Sequence, residues 1–167
     1  MKIYLFASKG ISLTSKIIKF WQFGFPYTHT GFIVDGYKQV NPLIAEMWFE
    51  GFRITSFYKG HTEGTNYIVY SLDVNEEQYD EFERIIYSYL NNPPKYDWLG
   101  ILGFPLRNKN INLKKRYFCS EFCFYVLQQI GINLLINTTP SEVSPRLILK
   151  SPLLNYEYYC NGKNIIK

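Results

Sequence analysis

The apolar run at residues 3–7 sits behind a charged residue, the pattern of a buried strand. From Ser12 the period changes: Leu13, Ile17, Phe20 and Trp21 recur at helical spacing until Gly24 and Pro26 stop the helix. Residues 28–35 are rich in β-branched and aromatic side chains, Asp35-Gly36-Tyr37-Lys38 is turn material, and residues 43–49 form a second strand, so the two read as a hairpin. Residues 51–57 and 67–72 predict further strands around a polar loop at 59–66.

Asn75 followed by Glu76, Glu77 and Gln78 predicts an N-cap with acid in the first turn. Tyr79, Phe82, Ile86 and Tyr89 carry that helix to the Asn91-Asn92-Pro93-Pro94 stop. Asp97 caps a short apolar helical piece to about Gly103, and residues 105–115 form a basic loop without periodicity. Cys119, Phe122, Cys123, Val126, Leu127 and Ile130 then recur at the spacing of a buried helix face that ends at Gly131. Pro140-Ser141-Glu142 starts another short helix, and residues 154–159 close as a strand. Strands mixed with helices in this order, without repeats or a linker, predict an α+β arrangement in one domain over residues 1–167.

Charge changes the picture only locally. Residues 1–83 hold 7 Lys/Arg against 10 Asp/Glu, and residues 84–167 hold 11 against 4, so the basic excess sits in the second half, with Arg107, Lys109, Lys114, Lys115 and Arg116 bunched together. A solvated loop explains that bunching; contact with an anionic membrane surface through Arg107–Arg116 is the functional alternative. Nucleic acid is not an expected partner, because a basic loop without an aromatic platform of known spacing is a poor sign of one. Three cysteines suggest no disulfide framework, the N-terminal apolar stretch is too short for a signal peptide, and no run is long enough for a membrane span. A cytoplasmic or otherwise non-secreted protein is the expectation, with viral or delivered origin left open.

Cys119 is the sharpest chemical candidate. It falls in the first turn of a helix, where free N–H groups favour an anion, directly after the basic cluster. Cys123 reads as core, and Cys160 has no evident partner. Of the two histidines, His61 lies in a polar loop and reads as solvated, whereas His29 opens a strand. A hairpin turn centred between Tyr37 and Lys38 would set His29 directly opposite Glu46, an acid that is otherwise costly to bury in its apolar strand. Cys119, His29 and Glu46 thus form a nucleophile, base and orienting carboxylate.

The pattern Ser12-Leu13-Thr14-Ser15-Lys16-Ile17-Ile18, then Tyr27-Thr28-His29-Thr30-Gly31-Phe32, Glu46, Tyr117-Phe118-Cys119-Ser120-Glu121-Phe122, Thr139-Pro140-Ser141-Glu142 and Ser144-Pro145 resembles the circularly permuted NlpC-type papain-like proteins, the YiiX/YaeF-like branch, over about residues 3–150. Many members begin the first strand after a Gly-Asp pair, where this chain has Met1-Lys2. The resemblance implies a small antiparallel sheet packed by helices, with Cys119 as nucleophile, His29 as base and Glu46 as orienting residue. Tyr27 and Tyr117 are candidates for lining the cleft. The implied activity is a cysteine amidase or peptidase working through an acyl-enzyme on peptide substrates of cell-wall type, with no cofactor and no metal. Alternatives are a lipid-directed acyl hydrolase or acyltransferase, motivated by the basic cluster and by Trp21, Phe23 and Phe25, and an inactive binding protein of the same fold. A metal module built on Cys119, Cys123 and a histidine is weakly motivated, since the thiols lie one helical turn apart with no second pair nearby.

Overall fold

The apolar run near the N-terminus becomes the middle of the sheet, which is why it is hydrophobic on both faces. The computed structural model of the protein describes residues 1–10, 13–97 and 116–166. In it β1 (Lys2–Ser8) pairs antiparallel with β2 (His29–Asp35) on one side and β5 (Tyr67–Asp73) on the other. With β3 (Leu43–Trp48), β4 (Gly51–Ser56), β8 (Asn155–Cys160) and β9 (Ile165–Ile166) the order is β4-β3-β2-β1-β5-β8-β9. This is a seven-stranded sheet, larger than the small one expected, because the C-terminal chain adds β8 and β9 beyond β5. A second, two-stranded parallel pair joins β6 (Lys95–Tyr96) to β7 (Arg116–Tyr117).

Among the described residues the helices are α1 (Leu13–Trp21), α2 (Phe57–Gly60), α3 (Glu76–Ser88), α4 (Cys119–Gln129) and α5 (Pro145–Ile148), with a 3-10 turn at Pro140–Glu142. Asn75 caps α3 as expected: its side chain accepts from Gln78 N–H at 2.8 Å while Gln78 Oε1 accepts from Asn75 N–H at 3.2 Å. The stripe of α4 faces the sheet, where Phe122, Val126 and Leu127 join Leu5, Phe32 and Met47 in the larger core. Burying such a side chain contributes about 2–3 kcal/mol. The opposite face carries a second core built on Phe6, Ile44, Phe57, Tyr67 and Tyr158. Both faces being covered, the sheet holds its two neighbouring strands, β1 and β2, as a rigid base.

Two corrections concern local geometry. The β2–β3 hairpin pairs Gly31 with Glu46 and Ile33 with Ile44, then shifts register between Ile33 and Asp35, so His29 and Glu46 are not directly opposed. Positive φ at Gly36 and Lys38, with the Gln39 N–H bonded to Gly36 O, makes the turn differently from the centred one expected. The shift is two residues, which preserves the face: His29 and Glu46 become diagonal neighbours. Of the expected helical piece from Asp97 to Gly103 only Asp97 falls within the described residues, and of the basic stretch only Arg116. Among the described residues no helix is long and apolar enough to cross a membrane.

The end of α1 departs from ordinary helix chemistry. Gly24 N–H bonds Lys19 O at 2.9 Å and Phe23 N–H bonds Phe20 O at 3.1 Å, which makes a Schellman stop. Its left-handed position is filled by Phe23, at φ 56°, although a side chain there costs about 1 kcal/mol against glycine.

Candidate active site

Cys119 opens α4, where the backbone turns in from an extended Phe118 and Glu121 reaches back to accept from the Phe118 N–H at 3.4 Å. A helix start leaves its first N–H groups without an intrahelical acceptor, so the sulfur sits among donors. The Ser120 and Thr30 backbone N–H groups face it, and it lies 4.0 Å from Thr28 O. The start of α4 thereby abuts the start of β2, which delivers His29.

His29 lies within hydrogen-bonding reach of the Cys119 thiol and binds Glu46 Oε2 through Nε2 at 2.7 Å. With Nε2 donating to the carboxylate, Nδ1 is the nitrogen left for the thiol. Gly31, two residues along β2, makes room for this arrangement: a Cβ there would meet the Phe6 ring at 2.6 Å and Ala45 O at 2.8 Å. Phe6 in turn packs at 6.0 Å from the His29 ring, and Trp48 meets that ring edge-on at 5.3 Å.

Glu46 is fully buried and completely engaged. Oε2 accepts from His29 and also from His61 Nε2 at 2.9 Å, and Oε1 accepts from Arg53 through Nε at 2.8 Å and through Nη2. Arg53 faces Glu46 across β3–β4, donates again to Gly60 O at 3.1 Å and lies over the Trp48 ring. His61 therefore is not the solvated loop histidine expected. Its side chain is 7% exposed and stacks on Phe57 at 4.4 Å, because α2 folds the loop back over the sheet.

The electrostatics follow. Burial alone would raise the Glu46 carboxyl, but the hydrogen bonds from His29 and His61 hold it well below the usual carboxylate range. Burial alone would lower His29, yet the thiol and the carboxylate raise it well above an ordinary imidazole. Burial opposes the Cys119 thiolate, and His29 with the two backbone donors overcomes it, leaving the thiol below its ordinary value. His61 moves down instead, since burial, the charge of His29 and that of Arg53 outweigh Glu46. Only the histidine that touches the thiol is set up to carry the proton.

Two clefts flank the pair. One, lined by Ile18, Trp21, Gln22, Phe118, Cys119 and Pro145, is nearly all apolar. The other lies on the His29 side and includes Ser8, Ser15, Trp48, His61 and Tyr96. Ser8 Oγ is buried there without a hydrogen-bond partner among the described residues. Tyr27 and Tyr117 line neither: Tyr27 packs near Phe25 and Lys9, and Tyr117 stacks on Tyr125 at 4.9 Å. Cys123 lies in the core with Sγ 3.7 Å from Thr30 Oγ1, and Cys160 is likewise buried and free.

Among the described residues, the group able to converge on a metal ion is His29, Glu46 and His61, whose ligand atoms lie within 4.8 Å of one another. The fit is poor. Contacts of 2.7 and 2.9 Å are hydrogen bonds, shorter than the roughly 3.3 Å between two ligands of one tetrahedral zinc. The Arg53 guanidinium also holds the other carboxylate oxygen.

Sequence reasoning missed Arg53 and His61. Arg53 carried a readable signal: a two-residue turn at Phe49-Glu50 pairs position 53 with position 46. His61 had none, because four residues of helix in a polar loop give no periodicity.

No family profile matches the chain, and no curated protein does. Among solved structures the fold is similar to that of metalloprotein YiiX from Escherichia coli O157:H7, with a TM-score of 0.65 and 20% identity over 94% of this chain and 96% of that one. The YiiX-like fold is therefore the one present.

Proposed function

We propose that the protein is a cysteine hydrolase that cleaves an amide or ester through an acyl-enzyme. The observation behind this reading is the continuous chain Cys119–His29–Glu46, with the thiol lowered and the imidazole raised around one proton. In this mechanism His29 Nδ1 takes the Cys119 proton, the thiolate attacks the carbonyl carbon, and Glu46 keeps the imidazole oriented and stabilises its charge. The tetrahedral oxyanion accepts from the backbone N–H of Cys119 at the helix start; Gln22 lines the same cleft, its side-chain amide accepting from the Arg146 N–H and donating to Tyr27 O. His29 then returns the proton to the departing amine or alcohol, and water repeats the sequence in reverse. YiiX is described as a metalloprotein; the contacts of His29, Glu46 and His61 favour a hydrogen-bonded set over a metal site here.

Alkylation of Cys119 by iodoacetamide, followed by intact mass against pH, tests the reading. Reaction well below the ordinary thiol range is expected, and it should retreat to that range in His29→Ala. On any ester or amide turned over, Cys119→Ser and His29→Ala should each lower kcat/KM by at least about a thousandfold. Unchanged hydrolysis in Cys119→Ser sinks the proposal.

A further inference from the structure

The chain from Met1 to Val34 contains four lysines and no acid, the first acidic residue being Asp35. Lys16 and Lys19 lie exposed on α1. At the end of that helix three rings face water together: Phe20 is 73% exposed, Trp21 39% and Phe23 91%. Single exposed apolar residues are ordinary; a contiguous aromatic set is not. Phe23 is the most telling, since neither burial nor backbone favours a phenylalanine there. It occupies the left-handed position that glycine fills best, and its ring has almost no cover.

This knuckle is held firmly. Arg146 N–H donates to Gln22 Oε1 at 2.7 Å, its Nη1 donates to Gln22 O at 3.0 Å, and its guanidinium lies 5.9 Å from the centre of the Phe23 ring. Phe20 and Trp21 meet edge to face at 5.2 Å. Trp21 also forms a wall of the apolar cleft that contains Cys119. The exposed rings and the nucleophile thus share one side chain.

We infer that the α1 knuckle docks the protein on an anionic lipid surface, with Phe20, Trp21 and Phe23 entering the headgroup boundary and Lys16, Lys19 and Arg146 meeting the lipid charge. Rings with cations on their flanks, on a basic helix, are the chemistry of interfacial binding. A protein partner fits less well. At about 200 Å² a ring the exposed aromatic area is roughly 400 Å², half of the about 800 Å² that a stable protein interface takes from each side. The cleft behind Trp21 then receives the acyl group of a lipid lifted from that surface. This second clause rests on the acyl-transfer reading, whereas docking does not.

Co-sedimentation with vesicles of phosphatidylcholine, alone or with equal phosphatidylserine, reads docking. The wild type should pellet with the anionic vesicles and be released by salt. Phe20→Ser combined with Phe23→Gly should weaken binding about tenfold or more, while its thermal midpoint stays level or rises, because glycine suits the position. Absence of wild-type binding, or full binding by the double variant, overturns the inference and leaves the rings to a protein partner. A long-chain alkyl iodoacetamide held in the vesicles reads the acyl route: the Cys119 thiolate displaces iodide and forms a carbon–sulfur bond. Labelling faster than with free iodoacetamide, and lost in the double variant, is expected. A Cys119 that reacts with free reagent but gains nothing from the vesicles overturns the acyl route. Inertness to both reagents, with docking intact, overturns the acyl-transfer reading and the route together.

Discussion

Cys119 and Cys123 stand one helical turn apart on the same buried stripe of α4, yet their thiols move in opposite directions. Cys123 is surrounded by core and has the Thr30 hydroxyl for company, so burial pushes it far up and it stays a small apolar side chain. Cys119 is equally buried, but it stands at the helix start, where backbone N–H groups and the His29 imidazole meet the sulfur. Residue type and burial do not distinguish the two. What separates them is whether an ion partner and free donors reach the sulfur.

The largest way to break the contrast is to remove Glu46, which holds His29. Glu46→Ala leaves two imidazoles and the Arg53 guanidinium without their acceptor, and a cost of about 3–5 kcal/mol in unfolding free energy is expected. Cys119 alkylation should shift towards the pH range of an ordinary thiol, the range of Cys123 being higher still. The sign for Glu46 itself is set by its lowered carboxyl: its stabilisation is present above the unfolded value of about 4.5 and is lost as pH falls through the folded value. Urea unfolding of the wild type should therefore lose stability in acid, and Glu46→Gln should flatten that loss. A Glu46→Ala protein as stable as the wild type would mean that the carboxylate is not the hub.

Most of the strands and the two long helices were legible because the sheet lies between two cores and each long helix has one face against it: a central strand is then an unbroken apolar run, as residues 3–7 are, and a helix writes a period of 3.6 into the sequence. The place of Cys119 was legible for a related reason: a helix start can be read from the chain. The Glu46–His29 pairing was found with the right face and a register two residues off, since the bulge near Asp35 leaves no signal beyond glycine and turn residues. Arg53 was readable from the next hairpin. His61 was not, because it reaches Glu46 through tertiary folding of a polar loop.

A second test stays within the first turn of α4. Glu121 is 2% exposed, and burial together with the nearby Asp97 pushes its carboxyl up to about 7 even though the Phe118 N–H opposes the shift. An acid that is ordinarily welcome at a helix start is thus held towards its neutral form beside the candidate nucleophile. The folded state keeps this proton better than the unfolded chain, so the contribution to stability is complete below about 4.5 and is lost as pH rises through about 7. Glu121→Gln should match the wild type in urea at pH of about 4.5 and exceed it by up to about 3 kcal/mol at pH of about 8. Equal stability at both pH values would place the Glu121 charge in water and shrink the contrast along the helix.

The smallest effect is the sharpest for the comparison. Cys123→Ala removes one sulfur from the core between α4 and β2 and leaves the helix start untouched, so a cost of about 1–2 kcal/mol is expected from the small cavity. Cys119 should be alkylated at the same rate and with the same pH profile as in the wild type, because none of the groups that lower its thiol is altered. Thr30 makes the test demanding: its side chain meets Cys123 while its backbone N–H faces Cys119, so one residue touches both sulfurs. A shifted Cys119 profile in Cys123→Ala would show that packing in the second turn sets the position of that N–H. The Cys119 thiol would then depend on its neighbour for geometry, and the two turns would act as one device.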